Sequence, residues 1–132
     1  CLTPVYDAER FGLILTGNPK QADLLLVTGS VNARNLPVLR QIYEQMPEPR
    51  AVVAIGACAY SGGVFSECYN VSGGVASAIP VDVYVPGCAA KPESILDGVL
   101  KAAAILAERR KALRGVSGGT LPEALREAEA KR

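Results

Sequence analysis

Residues 51–58 read Ala51-Val52-Val53-Ala54-Ile55-Gly56-Ala57-Cys58: five apolar residues, a closing glycine and, two positions on, a thiol. The apolar run is continuous rather than alternating, as in a strand covered on both faces. Two further runs close on glycine, Asp23 to Gly29 (DLLLVTG) and Val81 to Gly87 (VDVYVPG). The first of these is again continuous. In the second, Val81, Val83 and Val85 alternate with Asp82, Tyr84 and Pro86, the pattern of a more edge-like strand. Between the first two strands, Leu36, Leu39, Ile42, Tyr43 and Met46 recur at spacings of three and four and so share one helix face. Asn35 is expected to cap this helix, Pro37 to sit in its first turn, and Pro47 and Pro49 to end it. Strand, helix and strand in so short a span imply parallel strands joined by a right-handed crossover.

Working outward, Pro92 and Glu93 open a second helix expected to run to about Lys111, with Ile95, Leu96, Val99, Leu100, Ala103 and Leu106 as its buried stripe. Near the N-terminus, Tyr6 to Phe11 reads as a helical turn and Leu13 to Thr16 as a short strand. Residues 1–114 form one expected domain. Residues 115–132 are an expected charged tail, with a flexible break at Gly115 to Gly119 and a capping box at Thr120-Leu121-Pro122-Glu123. The fold class is α/β, a small parallel sheet flanked by helices. In such sheets the ligand crevice lies beyond the carboxyl ends of the strands.

Composition narrows the chemistry. The chain has 132 residues, 49% of them apolar and 20% charged, which excludes an intrinsically disordered chain. Fourteen Lys and Arg against 13 Asp and Glu leave a net charge of +1 with no basic run, which argues against nucleic acid as a partner. Histidine is absent, which removes His-based triads and any metal site that needs imidazole. No stretch approaches the roughly 20 apolar residues of a membrane-spanning helix. The opening Cys1-Leu2-Thr3-Pro4 has neither an initiator Met nor a signal-peptide pattern, so the chain is expected to begin inside a longer product. Its four cysteines then read as reduced thiols in the cytoplasm rather than as a disulfide framework.

Cys58 and Cys88 both fall at the mouths of expected strands, beside Gly56 and Gly87. Glycine next to each thiol lets backbone N–H groups approach sulfur or a bulky inorganic group. Between them runs a 16-residue loop, Ala59 to Gly74, with a third cysteine, Cys68; loops of this length are usually functional or mobile. The residues alone leave two readings open, small core cysteines or an incomplete metal site, since no C-x-x-C occurs. Other sites are weaker. Gly12 to Gly17 has P-loop glycine spacing but lacks the Lys-Ser/Thr that follows, and no G-x-G-x-x-G exists. Glu67, Asp82 and Glu93 have simpler roles as loop, strand-edge and helix-start charges, and Lys20, Arg34 and Lys91 as solvated ones.

Several segments in order carry a resemblance: Pro4-x-Tyr6-Asp7-Ala8-Glu9-Arg10-Phe11-Gly12, Gln21 to Gly29, Tyr43 to Arg50, Gly56-Ala57-Cys58-Ala59-Tyr60-Ser61-Gly62-Gly63, Pro80 to Cys88, and Lys91-Pro92-Glu93. This succession, over about residues 2 to 105, resembles the 20-kDa subunit family of respiratory complex I and the related small subunits of membrane-bound NiFe hydrogenases. The resemblance implies a flavodoxin-like fold and one 4Fe-4S cluster. Two of the ligands would be Cys58 and Cys88; the other two form a cysteine pair upstream of the segment beginning at Leu2. Neither Cys1 nor Cys68 matches a ligand position. Ala89-Ala90 stand where complex I relatives usually have two prolines, whereas Tyr6 to Gly12 and Glu67 to Val71 look closer to the hydrogenase branch. Gly56 and Gly87 would flank the cluster, and Tyr60, Val64 and Phe65 would form a dry shell around it.

Implied partners are a large catalytic subunit of nickel-iron or quinone-site type, a ferredoxin-like iron-sulfur subunit, and membrane subunits holding the assembly peripherally on the cytoplasmic side. The chain would be an oxidoreductase subunit with no complete active site of its own. A hydrogenase-type complex is the first expectation, a donor:quinone oxidoreductase the second, and a cluster-free flavodoxin-like binding or assembly module the third.

Overall fold

The computed structural model describes residues 4–115. Three parallel strands, β1 (Leu24–Thr28), β2 (Ala51–Ile55) and β3 (Val83–Val85), lie in the order β1-β2-β3, with β2 central. Three α-helices accompany them: α1 (Leu36–Gln45), α2 (Ala57–Ser61) and α3 (Pro92–Gly115). The expected α/β class and small parallel sheet are thus what the chain adopts.

The continuous apolar run of β2 has the predicted cause. Every residue from Ala51 to Ile55 is buried, and the pleat sends them alternately to two cores. Val52 and Ala54 pack on one face with Val31, Ala59, Val75 and Ile79, against Leu36, Leu39 and Tyr43 of α1. Ala51, Val53 and Ile55 pack on the other with Val85, and with Ala102 and Leu106 of α3. The result is a helix–sheet–helix sandwich.

Several expectations shift. Strand β1, expected to be covered on both faces, is an edge strand whose Leu26 is 45% exposed. Strand β3 is confined to three residues. Leu13 to Thr16 form no strand; the N-terminal region is a chain of single 3₁₀ turns at Pro4–Tyr6, Glu9–Phe11 and Pro19–Gln21. On α3 the buried stripe is Gly98, Val99, Ala102 and Leu106, while Leu100 faces outward. The small Gly98 explains that rotation, because a Cβ there would overlap Val85 Cγ2, so bare backbone brings helix and strand together. Helix α3 extends to Gly115, and the rest of the expected tail lies outside the described residues.

Helix α1 is capped by a different asparagine from the one expected. Asn35 makes no side-chain cap bond. Instead, Asn32 Oδ1 accepts from the amides of Arg34 and Asn35 at 3.1 and 2.8 Å, and the Asn32 carbonyl accepts from Leu36 N at 2.9 Å. At the other end Pro47 is joined by Arg50, whose Nη1 donates to the Tyr43 and Met46 carbonyls at 3.0 Å each while the guanidinium lies 3.9 Å from the Tyr43 ring centroid.

Asp82, expected to be a strand-edge charge, is a structural clamp. Its amide donates to Val52 O at 3.0 Å, and its carboxylate accepts from Val52 N at 2.9 Å, continuing the β2–β3 seam with a side chain. Arg109 of α3 closes on the same carboxylate in a forked ion pair and also donates to the Arg50 carbonyl. The Asp82 side chain is only 8% exposed. Removing its partner therefore leaves a largely desolvated charge, whereas the well-solvated Lys101–Asp97 pair on α3 costs little to break. Arg109→Met is expected to lower stability by about 1–2 kcal/mol, and Lys101→Met by less than about 0.5 kcal/mol, as read from urea unfolding midpoints.

Candidate metal centre

The carboxyl ends of β2 and β3 are joined beyond the strands themselves. Gly56 N donates to Val85 O at 2.8 Å and Ala57 N donates to Gly87 O at 3.0 Å. Each thiol-bearing residue follows directly on one partner of the second bond: Cys58 after Ala57, Cys88 after Gly87. Two residues distant in sequence are thus brought to neighbouring strand mouths by main-chain hydrogen bonding.

Gly56 makes this possible. Its φ of 88° and ψ of 164° belong to a region essentially reserved for glycine, and through it the chain leaves β2 and enters α2 with no intervening residue. A Cβ on Gly56 would also stand 3.3 Å from the Gly87 carbonyl oxygen, tighter than ordinary contact. Cys58 is half-buried in the first turn of α2, and Cys88 is exposed in the turn after β3; among the described residues neither forms a disulfide. The Cys88–Ala89 peptide bond is cis.

Cys68, the third thiol, is exposed in the long loop. That loop is neither structureless nor loose. Its first residues continue α2, and Gly63–Phe65 form a 3₁₀ turn. Its distal part is pinned by an antiparallel bridge between Asn32 and Val71, with Ala33 N donating to Asn70 O at 3.1 Å and Ser72 N to Val31 O at 2.9 Å. The fully buried Val75 anchors its end in the α1-side core.

Of the residues expected to form a dry shell, Tyr60, Val64 and Phe65 are 63%, 86% and 54% exposed. They form an outward-facing apolar rim. Sequence reasoning misses that Tyr60 meets Tyr84 of β3 edge to face, ring centroids 5.1 Å apart and planes at 86°. The alternation in β3 carries a signal, since it places Tyr84 on the opposite face from Val83 and Val85.

The donor chemistry is two sulfurs, with neither histidine nor a clustered carboxylate. Among the described residues no three Cys, Asp or Glu side chains gather as a metal site. Two reduced thiols are half of a four-thiolate iron–sulfur set. Gly63, which carries no side chain, lies against Cys58, where an added Cβ would stand 3.1 Å from Sγ. Glu67 and Glu93 are both exposed and join no such group.

Comparison with known proteins then places the chain. Residues 1–102 match the family described as NADH ubiquinone oxidoreductase, 20 Kd subunit. The chain belongs to this family. Among curated members, an NADH-quinone oxidoreductase subunit of Citrifermentans bemidjiense is 53% identical over 96 residues, covering 73% of this chain and 56% of that protein. The corresponding subunit of Flavobacterium johnsoniae is 56% identical over 97 residues, covering 73% and 53%. The chain spans about half the length of the curated relatives it matches. In structure it is similar to a chain of an archaeal respiratory membrane complex, the membrane-bound sulfane sulfur reductase, with a TM-score of 0.74 and 34% identity over 99% of this chain and 80% of that one. A chain of an NAD+-reducing [NiFe]-hydrogenase shares the fold, with a TM-score of 0.52 and 23% identity over 74% and 71%. No helix among the described residues is long and apolar enough to cross a membrane.

The exposures order the thiols of this 20 Kd-subunit family member. In the metal-free chain, iodoacetamide is expected to label Cys68 and Cys88 several-fold faster than Cys58, read by mass spectrometry under native conditions.

Proposed function

We propose that this chain is an electron-relay subunit of a membrane-associated respiratory oxidoreductase, with Cys58 and Cys88 as two of the four thiolate ligands of one 4Fe-4S cluster. The observation that carries the reading is the hydrogen bonding of Gly56 to Val85 and Ala57 to Gly87, which holds the two thiol-bearing backbones together at the carboxyl edge of the sheet. In this reading the other two thiolates come from a cysteine pair upstream of Cys1, as the family resemblance implies. When bound, such a cluster supplies a one-electron couple whose potential depends on hydrogen bonds to sulfur, net charge and solvent exposure.

The chain's own residues do the rest. Gly56 and Gly87 keep the strand mouths free of side chains where sulfur and an inorganic group must fit. Rigid β2, buried on both faces, fixes Cys58 by way of a turn with no slack. A one-electron relay requires no proton-transferring side chain, so the absence of histidine costs the site nothing. The exposed rim of Tyr60, Val64, Phe65 and Tyr84 is covered, in this reading, by a large catalytic subunit, and the cover dries the cluster's surroundings. Electrons arrive from or leave to a ferredoxin-like subunit, and membrane subunits hold the assembly peripherally on the cytoplasmic side.

Quinone as the terminal acceptor is supported by identities above 50% to subunits of NADH-quinone oxidoreductases. A second reading, a hydrogenase-like complex, is supported by the segments Tyr6 to Gly12 and Glu67 to Val71, while the match to a chain of the archaeal sulfane sulfur reductase supports a respiratory membrane complex under either reading. The large subunit encoded alongside separates them: two C-x-x-C motifs there indicate a nickel site, and their absence favours quinone.

In the purified complex, Cys58→Ser and Cys88→Ser are each expected to remove about four irons and four sulfides and to abolish electron transfer to the catalytic centre. Cys68→Ser is expected to keep the full iron content. Unchanged iron in both ligand variants would refute the relay reading and favour a cluster-free module.

A further inference from the structure

We propose that Gly63 is a positioning residue for the Cys58 sulfur: its missing side chain fixes which way the sulfur points. The proposal rests on the relay reading above. Helix α2 ends after five residues at Gly62 and Gly63, both with positive φ, 88° and 57°. The reversal folds the chain back over the first turn of α2, with Gly62 N donating to the Cys58 carbonyl at 3.0 Å. Gly63 thereby comes to lie directly against Cys58. A Cβ at Gly63 would stand 3.1 Å from Cys58 Sγ, 3.2 Å from Cys58 N and 3.3 Å from Cys58 Cα.

All three distances are inside ordinary van der Waals contact, so something must yield to any side chain placed there. The backbone atoms of Cys58 have little freedom, because the preceding Ala57 amide is tied to Gly87 and the following Ala59 is fully buried. Of the three atoms approached, only the sulfur can yield by side-chain rotation about χ1. A methyl group at position 63 therefore acts mainly by turning the thiolate away from its present direction. A metal ligand tolerates such displacement poorly, since productive geometry is held to within about half an ångström. The other glycines of the loop behave differently. A Cβ at Gly62 would meet Ser66 and Val71, one at Gly74 would meet the Tyr60 main chain, and one at Gly73 would meet nothing within 4 Å.

These differences define the test in the intact complex. Gly63→Ala adds both a left-handed backbone penalty and the methyl contact with sulfur. Gly63→Asn keeps the Cβ but eases the penalty, because asparagine populates the left-handed region far more readily. Gly73→Ala, at φ 88°, has the backbone penalty without the contact. Iron and sulfide content and an EPR-monitored redox titration are read for each variant. Both Gly63 variants are expected to lose at least half the cluster. Failing that, they shift the reduced-to-oxidised ratio at fixed potential about tenfold, which is 59 mV for one electron. Gly73→Ala is expected to match the unaltered complex.

A Gly63→Asn complex with unaltered cluster content and potential overturns the proposal, because position 63 then needs only a left-handed backbone. Failure of both Gly63 variants to assemble, with Gly73→Ala assembling, also overturns it by assigning Gly63 to folding. Failure of the relay reading is seen separately, as unchanged iron in Cys58→Ser, and takes this role with it.

Discussion

The main-chain hydrogen bond from Ala57 to Gly87 is the joint on which the molecule turns. It exists because β2 is buried on both faces and cannot shift without exposing one of two cores. It also needs a glycine at position 56, where the chain passes from strand to helix through a backbone conformation other residues avoid. Hydrophobic burial fixes the strand, the strand fixes the turn, and the turn fixes where a sulfur begins. Little of that precision depends on the thiols themselves.

The parts readable from sequence are those with a single dominant cause. Five apolar residues in a row with a terminal glycine have few alternatives to a doubly covered strand, and β2 is that. The three-and-four spacing of Leu36, Leu39 and Tyr43 likewise delivers α1 to one core of the sheet. Sequence reasoning fails where two residues compete for one task. Asn35 and Asn32 are both plausible caps, and the turn geometry after β1 aims Asn32 at the free amides. Leu13 to Thr16 are apolar enough for a strand, but among the described residues they pair with no other strand. Arg109 carries no local signal, since its partners Asp82 and Arg50 are joined to it only by the folded topology.

The candidate site shows the same division. Gly56, Cys58, Gly87 and Cys88 can be picked out because each stands at the glycine-closed end of an apolar run. The contact of Gly63 with Cys58, and of Tyr60 with Tyr84, depends on how a five-residue helix is turned over, which no periodicity encodes. By residue type alone, Tyr60, Val64 and Phe65 suggest an enclosing wall. They instead form a rim that faces outward, because among the described residues no element covers their far side.

The bridge between Asn32 and Val71 has a further consequence for the segment linking β2 and α2 to β3. A tether of that length, held only at its ends, would bear its closure entropy as one large ring. Stitched at its waist to the turn before α1, it becomes two smaller rings, the second ended by buried Val75. The ordering cost is then shared with the formation of α1, whose first turn is held by the same asparagine. The middle of that segment and the start of α1 therefore draw their order from the same short turn after β1.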